Sequence, residues 1–134
     1  MQIEYLDRAD GMYRPGVCNI DGREIAKRRR FGIVAVAGAI ALGALLVFID
    51  APALARAVVV LPLGAGLVSL EEARRQFCGA FAYLGIRSAT ASDSTERVND
   101  TAALAADRAA ARWMVAYCGT IAVAITAVFM LLPI

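Results

Sequence analysis

Histidine is absent from all 134 residues of this chain. With it go the usual general base near neutral pH and the commonest metal-binding nitrogen. A Ser–His or Cys–His nucleophile therefore has no place within the sequence. Glycine-rich phosphate loops of the P-loop or dinucleotide type are missing as well. Aromatic residues make up only 7% and do not alternate with basic ones in a patch, so nucleic acid is not an expected partner. Cysteine occurs three times, at Cys18, Cys78 and Cys118, and never as Cys-x-x-Cys, so no preformed metal site is signalled. The expectation is a protein without enzymatic activity, metal or cofactor.

Charge is missing in one place above all. Phe31 to Ile49 reads FGIVAVAGAIALGALLVFI, without a single charged side chain. As a helix it would be roughly 28 Å long, close to the ~30 Å hydrocarbon thickness of a bilayer. The composition agrees, since 60% apolar residues and a mean hydropathy of +0.61 exceed what a soluble domain carries. Two further stretches, about 54–70 and about 113–132, are long and apolar enough to follow it across. The small-residue run Ala51 to Ala55 resembles a signal-peptide cleavage region. However, the apolar stretch before it exceeds the usual ~7–15 residues and starts late, so a retained span is expected.

The predicted fold is an all-α integral membrane protein with three transmembrane helices and an amphipathic interfacial segment after the second. Its parts are an arm over 1–20, a two-span hairpin over 21–87, a linker over 88–100 and a helix over 101–134. The interfacial segment, 76–86, is too short to span. Phe77, Phe81 and Leu84 give it one apolar face, which suits the headgroup region or the underside of the bundle.

Local signals mark the helix ends. Asp21 and Glu24 form a capping pattern with Ile20 and Ile25 at the staple positions, and Glu24 precedes Arg28 by four residues. Glu71 and Arg75 repeat that spacing. The last helix has two candidate starts, Asp93 with Glu96, or Asn99 and Asp100. Pro62 predicts a kink in the second span. Small residues recur every fourth position at Ala35, Ala39 and Gly43, and again at Ala116, Thr120 and Ala124. This spacing predicts helix-packing faces, because close approach drives association in lipid.

Thirteen of the fourteen Lys and Arg fall on one side if three helices alternate, the exception being Arg56. By the positive-inside rule that side is the cytoplasm, with the N-terminus inside and the C-terminus outside. Lys27, Arg28, Arg29, Arg30, Arg112 and Trp113 are expected at the inner interface, with anionic lipid facing the basic run. Arg56, near the outer end of the second span, is expected to snorkel or to pair with Asp50.

Two blocks stand out. Gly16-Val17-Cys18-Asn19-Ile20 with Glu24, Ile25 and Arg28 to Arg30 opens the first helix, and Glu72-Ala73-Arg74, Phe77-Cys78 and Phe81 close the second span. Together they resemble a family of small, uncharacterised bacterial membrane proteins with two spans. The resemblance covers about 16–86, with Asp21 where that pattern has glycine. It implies a hairpin in a bacterial cytoplasmic (inner) membrane and carries no activity. The third span has no counterpart in it.

Two functional expectations follow. One is a non-catalytic accessory, assembly or structural subunit, held to other membrane proteins or to copies of itself by the small-residue faces. The other is a thiol redox or metal-handling protein in which Cys18 and Cys78 meet. A channel component is the weakest reading, because no carboxylate or polar lining lies within a span.

Overall fold

The computed structural model describes residues 13–20, 22–88 and 95–134, apart from the side chains of Ser88 and Glu96. Asp21 and Asp93, for which capping roles are expected, lie outside the described residues, as do most of the arm and the stretch 89–94. Helix α1 spans Gly22–Phe48. It closes on Asp50, whose left-handed backbone (φ 52°) reverses the chain within a few residues. The return is a rod made of α2 (Ala53–Arg56), a 3-10 turn (Ala57–Val59) and α3 (Val60–Arg75). Pro62 accounts for the break: its ring crowds the carbonyl four residues back, at Val58, which lies inside the 3-10 turn. The expected kink is thus a local change of helix type.

Gln76 ends α3 in the left-handed region (φ 59°), and the short helix α4 (Gly79–Leu84) follows. Strands β1 (Ile86–Ser88) and β2 (Thr95–Arg97) then pair antiparallel, Arg87 opposite Glu96. Within the expected linker, 88–100, β2 pairs with β1, which lies mostly before it. Helix α5 (Thr101–Leu131) completes the chain, with Asp100 accepting from the Ala102 amide at 3.2 Å. Of the two candidate starts, the later is used.

Among the described residues three helices are long and apolar enough to cross a membrane: α1, the Ala53–Arg75 rod, and α5. Their outward side chains, among them Val34, Ile40, Phe48, Leu61, Val123 and Val128, are exposed and apolar, as lipid-facing surfaces are. The rod lies in the middle, with α1 along one side and α5 along the other. At 31 residues α5 is about 46 Å long, well beyond the ~30 Å hydrocarbon layer. Its first turns therefore pack outside, against α4 and residues 13–20.

The α1–α3 contact is closest at two glycines. A Cβ at Gly66 would stand 2.7 Å from Val36 Cγ2, 3.0 Å from the Val36 nitrogen and 3.1 Å from the Gly32 oxygen. A Cβ at Gly32 would meet Leu70 Cγ at 2.6 Å. The expected α1 face is present, with Ala39 and Gly43 buried and Ala35 half-buried, but its tightest point is one turn earlier, at Gly32.

On α5 the expected packing face is not the one used within the chain. Ala116, Thr120 and Ala124 are exposed, whereas Ala103, Asp107, Ala111, Met114, Cys118, Ala122 and Thr126 are buried. Both sets repeat at helical spacing. The buried one wins because Met114 and Ala111 must cover Phe77 and Ala82 below, while Ala122 meets Val59 and Leu63 of the rod.

Candidate functional site

The most elaborate polar arrangement sits at the end of the bundle that carries Lys27 to Arg30. Residues 16–20 run back over the loop that leaves α3, joining the two blocks that stood out in the sequence. Asn19 grips Cys78 through its backbone on both sides: Nδ2 donates to the Cys78 carbonyl at 3.0 Å, and Oδ1 accepts from the Cys78 amide at 2.7 Å. The Asn19 amide donates to the Gln76 carbonyl at 3.2 Å. Ile20 and Ile25 pack with Ala73, Cys78 and Phe81 around this clamp, which places the hydrophobic staple where the sequence had it.

Beside the clamp lies Glu72, 5% exposed, whose Oε1 accepts from the Gly79 amide at 3.0 Å. Its Oε2 is 3.8 Å from Arg28 Nε. Arg28 also donates to Cys78 Sγ at 3.1 Å, lies 3.5 Å from Glu24 and sits over the Phe81 ring. Of the basic run, Arg28 thus turns inward, away from the headgroups, while Arg29 and Arg30 are exposed and Lys27 pairs with Glu24 at 3.1 Å. The Glu71–Arg75 pair forms as spaced, at 2.5 Å.

A second anchor holds the same strand of chain. Asp107, fully buried on α5, accepts from the Tyr13 hydroxyl at 2.8 Å and from the Gly16 amide at 2.6 Å. Gly16 has φ +71°, and a Cβ there would press on the Ala106 carbonyl at 3.2 Å, so the position favours glycine twice over. Burial, then the bond to Asp107 and its charge, pushes the Tyr13 phenol above its ordinary range, and the donor stays protonated. Sequence reasoning passed over Asp107. Its signal was a lone charge on the face that otherwise reads Ala103, Ala111, Met114 and Cys118.

The structure joins the Cys18 and Cys78 segments, but through Asn19. All three cysteines are buried, and none is in a disulfide. Burial first, then the charge of Glu72, pushes the Cys78 thiol up, against the opposing pull of Arg28 and nearby backbone amides. A thiol held in that state is a poor nucleophile. Among the described residues no group of three or more His, Cys, Asp or Glu could hold a metal ion. Asn19→Ala frees the two Cys78 backbone groups and should speed alkylation of Cys78 by at least about tenfold, since a buried pair of hydrogen bonds is worth upward of ~1.4 kcal/mol. An unchanged rate, followed by mass spectrometry against Cys118, would count against the clamp.

At the opposite end Arg56 makes no ion pair with Asp50 among the described residues, and its side chain reaches the residues beyond α5. It is 6% exposed, and Nε donates to the Ala51 carbonyl at 3.2 Å, Nη1 to the Leu132 carbonyl at 3.1 Å, and Nη2 to the Ile134 backbone oxygen. Its guanidinium also covers the Phe129 ring. Backbone carbonyls beyond α5 are partners that residue spacing could not reveal. Trp113 stacks on Tyr117 with centroids 5.3 Å apart, beneath the Arg75 guanidinium, and Arg112 is exposed beside them, as interfacial residues are.

Taken together, the three apolar helices and the polar cap at one end define a multi-pass membrane protein. No family model, curated protein or solved structure matches this chain.

Proposed function

We propose that this chain is a non-catalytic subunit of a membrane assembly, made with other membrane proteins or with further copies of itself. The observation that carries this reading is the unused face of α5. Ala116, Gly119, Thr120, Val123 and Ala124 line a shallow groove on the outside of the bundle. A Cβ at Gly119 would meet nothing within 4 Å. In lipid, such a small-residue surface gains from another helix approaching closely, and gains little from acyl chains. The polar cap fits the same role: its hydrogen bonds hold the chain's own segments in place. The resemblance to bacterial two-span proteins supports a cytoplasmic (inner) membrane, and the thirteen cations support a cytoplasmic cap facing anionic lipid.

Purification in mild detergent should give a particle larger than the monomer, with its companions identified by mass spectrometry. Gly119→Leu together with Ala116→Leu should reduce it to a monomer of unchanged helix content. A wild-type monomer in mild detergent and in native-lipid discs would overturn the reading. Orientation has its own test: a fluorescent reporter that matures only in the cytosol, fused after Ile134, should stay dark.

A further inference from the structure

At the end of the bundle that carries the polar cap, a pocket of about 340 Å³ opens between α1 and α3, lined by Glu24, Lys27, Arg28, Phe31 and Ser69. Glu72 lies 3.8 Å from Arg28, so two carboxylates balance two cations and the pocket is neutral overall. Its residues stand in a fixed order of depth. Phe31 opens the charge-free run and marks the edge of the hydrocarbon. Ser69 is level with it, because a Cβ at Gly32 would stand 3.0 Å from the nitrogen of the neighbouring Leu70. At the helical rise Lys27 and Arg28 lie about 4.5–6 Å further out than Phe31, and Glu24 about 10 Å. The headgroup layer is about 5–8 Å deep on each side of a bilayer. The two cations are therefore at phosphate depth, and Glu24 is at the outermost tip of a headgroup.

Two donors in this pocket are left over. Ser69 is 7% exposed, and its hydroxyl has no hydrogen-bond partner among the described residues. Thr120 shows the usual local remedy, donating to the carbonyl four residues back at 2.7 Å. Ser69 makes no such bond to Ala65, and its oxygen, unlike that of Thr126, is not sealed from the surface. Arg28 engages Glu24, Glu72 and Cys78 through Nε and Nη2, which leaves Nη1 without a partner among the described residues. A carboxylate accepts at about four positions, so the pair of Glu24 with Lys27 at 3.1 Å leaves room for a further donor. Outward from the hydrocarbon the pocket thus presents an aromatic ring, a hydroxyl donor, two cations and a carboxylate. A phospholipid with an ethanolamine head presents, in the same order, acyl carbons, an ester carbonyl, a phosphate and an ammonium. Both are neutral overall. An anionic headgroup sets its net charge against Glu24 and Glu72, and choline has no N–H for the carboxylate.

We propose that this pocket binds an ethanolamine phospholipid, its phosphate on Lys27 and Arg28, its ammonium on Glu24 and an ester carbonyl accepting from Ser69 Oγ. The exposed Arg29 and Arg30 remain for anionic lipid. The inference is independent of the subunit reading, which rests on α5. The test is native mass spectrometry of the full chain in detergent, with an equimolar mixture of phosphatidylethanolamine, phosphatidylcholine and phosphatidylglycerol of identical acyl chains. One phosphatidylethanolamine per chain is expected, retained at least about tenfold better than phosphatidylcholine, the worth of one hydrogen bond between charged groups. Glu24→Gln should bring those two lipids to parity while phospholipid is still held. Ser69→Ala should weaken both about fivefold and keep their ratio. A ratio of two lipids on one sample is blind to partial unfolding. Ser69→Ala also removes an unpaired hydroxyl from a helix that alanine favours, so its unfolding midpoint in lipid-free detergent should equal or exceed wild type. Equal retention of phosphatidylcholine by the wild type overturns the proposal. So does phosphatidylglycerol held at or above the phosphatidylethanolamine level, which would mean that the basic run alone attracts lipid. A preference that survives Glu24→Gln, or unchanged retention by Ser69→Ala, overturns it as well.

Discussion

Replacing Gly66 by alanine lowers the thermal unfolding midpoint of the purified protein, while the same change at Gly38 leaves it unchanged or raises it. The opposite signs follow from what a methyl group would meet. At Gly66 it lands 2.7 Å from a Val36 methyl and 3.0 to 3.1 Å from backbone atoms of Val36 and Gly32. Valine can turn, but the backbone of α1 yields only if the two helices separate. Overpacking of this kind costs about 1–3 kcal/mol. In lipid the loss bears directly on the α1–α3 hairpin, because packing, not water exclusion, holds membrane helices together. At Gly38 nothing lies within 4 Å, and alanine is the better helix former by about 0.5–1 kcal/mol. Val36→Ala in the Gly66→Ala background should restore only part of the loss, since two of the three close atoms are backbone. Full rescue would place the constraint in the valine side chain alone, and equal effects at Gly38 and Gly66 would remove the close crossing. Gly66→Leu should prevent a stable hairpin altogether.

The same contact shows how far the sequence could be read. The spans were legible because a charge-free run of bilayer length has few other uses, and the Glu24–Arg28 and Glu71–Arg75 pairs because helical spacing alone brings them together. Which small residues meet was not legible. Alanine and glycine are plentiful on every face of these helices, and α5 carries two stripes of helical period. The choice between Ala116–Thr120–Ala124 and Ala111–Cys118–Ala122 is made by Phe77, Ala82 and the rod, which lie far away in sequence. Two of the three acceptors of Arg56 were out of reach for a related reason, as they lie some 76 and 78 residues onward. The polar clamp was half legible. Its residues stood in the two recognisable blocks, but attention fell on the thiols, whereas the bonds run through the Asn19 amide and the Glu72 carboxylate.

Asp107 is where the cap should fail most completely. Asp107→Ala is expected to release residues 13–20 from α5 and expose Cys18, which is fully buried in the intact protein. The carboxylate accepts from both the Tyr13 hydroxyl and the Gly16 amide, and bonds to a charged acceptor are worth about 1.5–3 kcal/mol each. Losing both should raise the open population, and with it the alkylation rate of Cys18, on the order of a hundredfold or more. Tyr13→Phe removes one donor and keeps the carboxylate bonded to Gly16, so its effect should be roughly the square root of that. Asp107→Asn keeps the shape and one acceptor for Gly16, and should fall between the two. Cys118 on the same helix is the internal control, because it packs toward Leu67 and away from the cap. Were the whole bundle loosened, Cys118 would gain reactivity in step with Cys18. Release of the cap alone leaves it unchanged. A Cys18 rate that stays at the wild-type value in Asp107→Ala would mean that the Asn19 clamp holds residues 16–20 by itself and that the buried carboxylate contributes nothing to docking.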